Sequence, residues 1–535
     1  MGRKKYITSF LCAFSLFSFF ACTQRNSTVK PNEIRLYLEA EPYSIDPRIG
    51  GNRISQTVVR ELFEGLTRLG KDGNPELALA KSISVSDDDL THTISLHPSV
   101  WSNGDPVTAH DFVYAWKSII DPSFPTSFAY ALYDIKNAQK AQTRACSLDE
   151  IGIRALDDLT LEVTFEYPTP YSLELFANPI FSPVHRPSAQ KNKQWAAQTY
   201  PEFVSNGPFI VKKHDLNSRI ILETNPLYSK KRAEKTLSFT IINDPNTAFN
   251  LFKANELDWF GDPCGTFPIE FLNNKETSLY TKDTGGSFWI ECHVTTPHLA
   301  SPKIRKALAM SIDRKTICQG LLNNTASPSF SILPNSLTLL ETPTFEDGNA
   351  EKAKKLFKEG LDELNITDYP PLHLMFSASP KNKILAELVQ KQIQNALGIT
   401  VNLAPSDSKT WFQKVSSGDF EISLSHWFTW FNDQYYNLKY LKHKDGGMNG
   451  TDWEDPNYIS LINQAISHSQ TTSRKHYFKQ AEQLVMDQMP IIPLFCSDYT
   501  YLKPPNLMGE ILSSTGQMEF QWLEKVDQCD YTNRD

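Results

Sequence analysis

Between Ile34 and Met489 the chain switches repeatedly between two hydrophobic periods, and this alternation most limits what it can fold into. In residues 159–165 apolar and polar side chains alternate, which is the period of a half-buried strand; 34–38, 90–96 and, more loosely, 219–224 do the same. From Thr108 the period becomes helical. Phe112, Val113, Trp116, Ile119 and Ile120 fall on one face. Thr108 with Asp111 forms a near capping box, and Asp121-Pro122 stops the helix. The spacing predicts further helices over 57–66, 246–255, 304–312, 315–322, 383–397 and 474–489, and strands over 372–376 and 399–403. Gly398 is placed to close the 383–397 helix in the left-handed conformation. Strands interleaved with helices call for α/β layers around mixed sheets. At 535 residues the chain is too long for one core and should form two or three domains.

The N-terminus reads as an address. Met1–Lys5 is basic, and residues 6–20 are a short apolar run, too short for a spanning helix of about 20 residues. Ala21-Cys22 ends the run, and a polar tether follows over residues 23–33. This arrangement resembles a bacterial lipoprotein signal, which implies removal of residues 1–21 and lipid on Cys22. Phe19-Phe20 departs from the usual pattern. An uncleaved anchor, or a signal cut elsewhere, is the competing reading. No other stretch is long and apolar enough to span a bilayer.

The formal charge of −8 becomes −11 once the three cations of residues 1–21 are removed, and no long basic stretch follows, which argues against nucleic acid as a partner. Six cysteines follow Cys22 without a C-x-x-C pair, so no metal site is expected. Cys318 and Cys496 lie in apolar segments and read as small core residues; pairing among the six stays open.

Four stretches carry a family resemblance. They are Ser44-Ile45-Asp46-Pro47 with Glu61-Leu62-Phe63-Glu64-Gly65-Leu66; the run from Trp101 to Val113 (WSNGDPVTAHDFV); Ser205-Asn206-Gly207-Pro208-Phe209; and Ile304 to Arg314 (IRKALAMSIDR). In order and spacing they resemble the extracellular solute-binding proteins of the oligopeptide and dipeptide class, the receptors of ABC importers. The resemblance spans roughly residues 33–525. It implies an α/β, two-lobed periplasmic-binding-protein fold with mixed sheets, a hinge and an extra subdomain. By resemblance, 34–63, 188–287 and 500–535 form the first lobe, 64–187 the extra subdomain and 288–499 the second lobe. The motifs themselves are turn and cap chemistry, so they build the fold rather than touch solute.

The resemblance also implies a solute held between the lobes as an added strand. Its partners would be an oligopeptide or peptide-like solute and the permease and ATPase subunits of an importer. It implies a monomer, lipid-anchored at the cell membrane on the periplasmic side, with no cofactor and no enzymatic activity. In such receptors an aspartate three residues after a tryptophan holds the peptide's amino end. Here the segment reads His426-Trp427-Phe428-Thr429-Trp430-Phe431-Asn432-Asp433. Trp427 matches the tryptophan, but Trp430 stands at the anchor position, where a ring offers a cation only about 0.5–2 kcal/mol. Three explanations stay open: Asp433 serves through a shifted loop, the solute lacks a free amino end as some muropeptides do, or the solute is of another kind. The candidate binding residues are Trp427, Trp430, Phe431, Asp433, His426, Phe288 and Trp289, with Lys381 and Lys383 as the nearest cations for a carboxylate.

Enzyme motifs are missing. There is no G-x-S-x-G, H-E-x-x-H, Walker or G-x-G-x-x-G pattern, and Asp87-Asp88-Asp89 reads as a charged turn. His293 and His298 lack the companions of a metal site. The other class of function on the same fold is a surface lipoprotein acting as adhesin or chaperone.

Overall fold

The computed structural model describes residues 32–230, 234–272, 279–444 and 449–526. The signal segment, Cys22 and most of the tether lie outside the described residues, as does Cys529. Three main sheets organise the described chain. The first is four-stranded, in the order Glu33–Leu38, Thr236–Ile241, Arg219–Thr224, Phe209–Asp215. The second is antiparallel, in the order Ala80–Val85, Thr91–Leu96, Thr160–Thr164, Ile153–Asp157. The third is mixed and runs Phe260–Gly261, Ile491–Leu502, Tyr280–Cys292, Ile422–Phe428, Leu372–Ser377, Val401–Ser406, with Ala326–Pro328 added beside Ile491–Leu502.

Two long antiparallel strands, Tyr280–Cys292 and Ile491–Leu502, are the spine of the third sheet. Their register shifts between Asp283 and Gly286, where Gly285 takes φ +64°. A bulge of this kind bends the strand and requires a residue tolerant of positive φ.

The resembling motifs turn out to be joints between segments far apart in sequence. Ser102 N donates to the Ser205 carbonyl at 2.8 Å, and Asn206 exchanges hydrogen bonds with the backbone of Glu64. A side chain at Gly207 would meet the backbone of Leu62 at 2.5 Å, so only glycine allows this approach. Buried Arg305 donates to the carbonyls of Leu299, Ala300, Gln488 and Met489. Buried Arg314 donates to those of Pro493, Ala309 and Ile312 and pairs with Asp347 at 2.8 Å.

Most expected elements are present with shifted ends. The helix expected over 57–66 spans Arg53–Leu62, because Asn52 caps it by accepting from Ser55 N, and Phe63 is already extended. The helix from Thr108 is Ala109–Ile120, with Asp111 accepting from Thr108 N at 2.9 Å. The 315–322 helix is a short turn, Arg314–Thr316, running into a wider π turn, Ile317–Leu321. Helix Pro380–Leu397 ends at Gly398 with φ 74°. The last strand of the third sheet begins at Val401 rather than residue 399. Cys146, Cys264, Cys292, Cys318 and Cys496 are all unbridged. No helix among the described residues is long and apolar enough to cross a membrane.

Candidate functional site

The strand–helix–strand units of the third sheet decide where a site can form. Leu372–Ser377 lies between Val401–Ser406 and Ile422–Phe428 and is parallel to both. Connections leaving such a strand order open a crevice at the carboxyl ends of the strands. Lys381, in the first turn of Pro380–Leu397, and the residues from His426 to Trp430 stand at those ends. There the wall faces Glu39, Arg53 and Asp262 across a cavity of about 710 Å³. That volume falls within the roughly 300–1,000 Å³ of small-molecule sites.

Strand parity selects which aromatic side chains reach the cavity. Phe288 is paired directly with His426, and Gly286 with Phe428, so these side chains share one face of the sheet. Ser287 is paired with Trp427, and Trp289 with Ser425, on the other face. Phe288, His426, Phe428 and Trp430 accordingly line the cavity. Phe288 stacks between His426, with ring centroids 5.4 Å apart, and Phe495, at 4.7 Å. The Lys381 ammonium lies 5.2 Å above the Phe288 ring. Trp430 completes the wall and packs against Tyr130 at 5.6 Å.

The other sequence candidates do not line the cavity. Trp427 packs on Tyr440 and Tyr436 behind the wall, and Trp289 is buried beside Glu291. Phe431 stacks on Tyr171 at 4.1 Å. Asp433 is occupied: both its oxygens accept from Arg474 Nη2 at 2.9 Å, and it caps the helix Gln434–Leu438 through Tyr435 N. A shifted loop that frees Asp433 for a solute is therefore not what the chain adopts. Lys383 is exposed, 3.9 Å from Glu387, and does not line the cavity either.

The charges inside the cavity are answered in different ways, and Arg60 donates to the Ala177 carbonyl at 3.1 Å. Arg53 is neutralised, with Glu39 Oε1 at 2.6 Å and Asp262 Oδ1 at 2.7 Å. Lys381 has no ion-pair partner among the described residues; enclosure pushes its pKa down, and Asp262 partly restores it. Enclosure by the cavity walls, and then the Lys381 ammonium, push the His426 pKa down to about 4, so this imidazole is neutral near pH 7. Asp498 lines the cavity from strand Ile491–Leu502, and burial and then Asp283 push its pKa up to about 6. Behind the wall, Glu291 accepts from Tyr440 OH at 3.0 Å, and burial raises its carboxyl to about 7. Sequence reasoning missed Glu39, Arg53, Asp262 and Asp498. The first three are distant in sequence and carry no local signal, whereas Asp498 is a lone acid in the otherwise uncharged stretch 491–502.

Residues 74–449 match the model of the bacterial extracellular solute-binding proteins, family 5 Middle. The chain belongs to this family. Among its relatives, the oligopeptide-binding protein OppA of Bacillus subtilis is 35% identical over 91% of this chain and 92% of its own length. The dipeptide-binding protein DppE of the same organism is 31% identical over 91% of each. Among solved structures, the murein tripeptide binding protein MppA of Escherichia coli superimposes with a TM-score of 0.79 at 25% identity, over 92% of this chain and 99% of that one. The two-lobed α/β fold of this family-5 receptor is thus that of known extracellular solute-binding proteins.

Proposed function

We propose that this receptor captures oligopeptides or peptide-like solutes in the cavity and delivers them to the permease and ATPase subunits of an ABC importer. In this reading 34–63, 188–287 and 500–535 form one lobe, 64–187 the extra subdomain and 288–499 the other lobe, and closure is a hinge motion. The observation that carries the reading is the Lys381 ammonium over the Phe288 ring, without an ion pair among the described residues, in a cavity of a chain whose relatives include an oligopeptide-binding protein. A solute carboxylate would answer that charge, and the rings of Phe288, Phe428 and Trp430 would take its apolar parts. The relationship to a murein tripeptide receptor, with Trp430 at the wall, favours a muropeptide as the second solute class. Cys22 would carry the lipid that holds the receptor to the membrane from the periplasmic side; Cys22→Ser should release it into the soluble fraction.

The deciding measurement is a thermal melt of residues 23–535 with short peptides and with muropeptides. Binding to the folded state alone raises the midpoint, by about 2.7 kcal/mol of stabilisation at a hundredfold excess over Kd. No shift with either pool at millimolar concentration would overturn the reading and leave a surface lipoprotein without a transport solute.

A further inference from the structure

The cavity's carboxylates are not equivalent. Glu39 and Asp262 both pair with Arg53, and Glu270 stands exposed at the rim. Asp498 is half-buried in the cavity wall and has no cation within ion-pair distance among the described residues. Its backbone is fixed, with its N–H donating to the Thr325 carbonyl at 3.1 Å. The residue paired directly opposite it on the neighbouring strand is another acid, Asp283. Like charges placed opposite across a strand pair repel. Asp283 gains partial relief by accepting from Gly285 N at 3.0 Å, but Asp498 has no such donor. An enclosed carboxylate without a counter-charge costs stability unless something brings one.

Lys381, in the same cavity, likewise has no ion pair among the described residues, and Asp262 acts on it only through space. Among the described residues, Lys381 and Asp498 thus stand in the lining without an ion pair, whereas Arg60, also in the lining, donates to the Ala177 carbonyl at 3.1 Å. No cluster of three or more His, Cys, Asp or Glu suited to a metal ion exists among the described residues, so an organic cation is the class that fits.

We infer that Asp498 holds a primary ammonium group of the solute, while Lys381 receives its carboxylate. The inference rests on the peptide reading above. It makes the cavity selective for a zwitterion, and places the cation contact on strand Ile491–Leu502 rather than on the 426–433 loop. The ammonium is either the peptide's α-amino group or the side-chain amine of a lysine or diamino acid.

Calorimetric titration of the mature protein tests this with three probes: tri-alanine, N-acetyl-tri-alanine and an N-acetylated Ala-Lys-Ala peptide. The wild type should bind at least one ammonium-bearing probe about 10- to 100-fold tighter than the acetylated alanine peptide, as a charge-assisted contact provides. Preference for tri-alanine identifies the α-amino group, and preference for the lysine peptide identifies the side-chain amine. Asp498→Asn should erase that preference while keeping the weaker affinity for the acetylated alanine peptide, which also shows that the variant is folded. Equal affinity of the wild type for all three, or a preference that survives in Asp498→Asn, overturns the inference and leaves peptide capture standing. Failure of the wild type to bind any probe overturns the ammonium contact, and peptide capture is then decided by the thermal melts with both pools.

Discussion

One stretch of ten residues, 426–435, builds two different regions. His426, Phe428 and Trp430 face an open cavity, where the nearby charges Lys381 and Asp498 have no ion pair among the described residues. Phe431, Asn432, Asp433 and Tyr435 face a closed seam against residues 134–174, where groups are paired. In the seam, Asp134 accepts from Tyr167 and Tyr171 and has Lys439 at 3.6 Å; Asn432 N donates to Glu174; Arg474 holds Asp433 and lies over the Tyr171 ring. The contrast separates residues that the fold needs from residues that a solute can use. Buried polar groups that serve structure are satisfied within the protein, and those left unsatisfied in a cavity are the ones a ligand can complete.

The sharpest way to break the comparison lies in the seam. Asp433→Asn leaves the Arg474 guanidinium buried without its counter-charge, so stability should fall by about 3–5 kcal/mol in denaturant unfolding, with solute affinity of the folded fraction unchanged. A loss under about 1 kcal/mol would mean that the seam is solvated like the cavity.

Next in size is the back of the wall. Glu291 takes up a proton at higher pH when folded, at about 7 against an ordinary 4.5. Between those values the folded state binds more protons than the unfolded state, so stability falls as pH rises from about 4.5 to about 7 and stays low above. Glu291→Gln should flatten this slope and be more stable than the wild type at pH 8, by about 2–3 kcal/mol. Parallel stability–pH curves for the two proteins would remove Glu291 as the cause.

The smaller effects belong to the cavity. Lys381→Gln should weaken a free peptide about tenfold, roughly 1.4 kcal/mol, and leave its C-terminal amide unchanged. Equal loss for acid and amide would end the carboxylate role. Lys383→Gln, two residues on but exposed, should change neither affinity nor stability by more than about 0.5 kcal/mol.

Much of the architecture was legible in the residues. Strict alternation placed Thr160–Thr164, the apolar face and Thr108–Asp111 pair placed Ala109–Ile120, and Gly398 marked a helix end, because these signals are local. Segment ends shifted wherever a cap rather than a period decided them, as Asn52 did for Arg53–Leu62. The site was half legible. His426, Trp430, Phe288 and Lys381 were within reach of sequence reasoning, whereas Trp427, Trp289, Phe431 and Asp433 were equally plausible by sequence and do not line this cavity.

The sequence by itself determined the alternation of strands and helices, the turns and caps, the family and an aromatic-rich segment at 426–431. Only the tertiary structure decided which of those rings face the cavity, because a side chain's face depends on strand register, and one step of register exchanges Trp427 for His426 and Phe428. It also decided which charges are spent. Arg53 meets Asp262 across 209 positions and Arg474 meets Asp433 across 41, and such meetings leave no trace in local pattern. Lys381 and Asp498, without an ion pair among the described residues after those pairings, are the charges on which the proposed recognition of a solute rests.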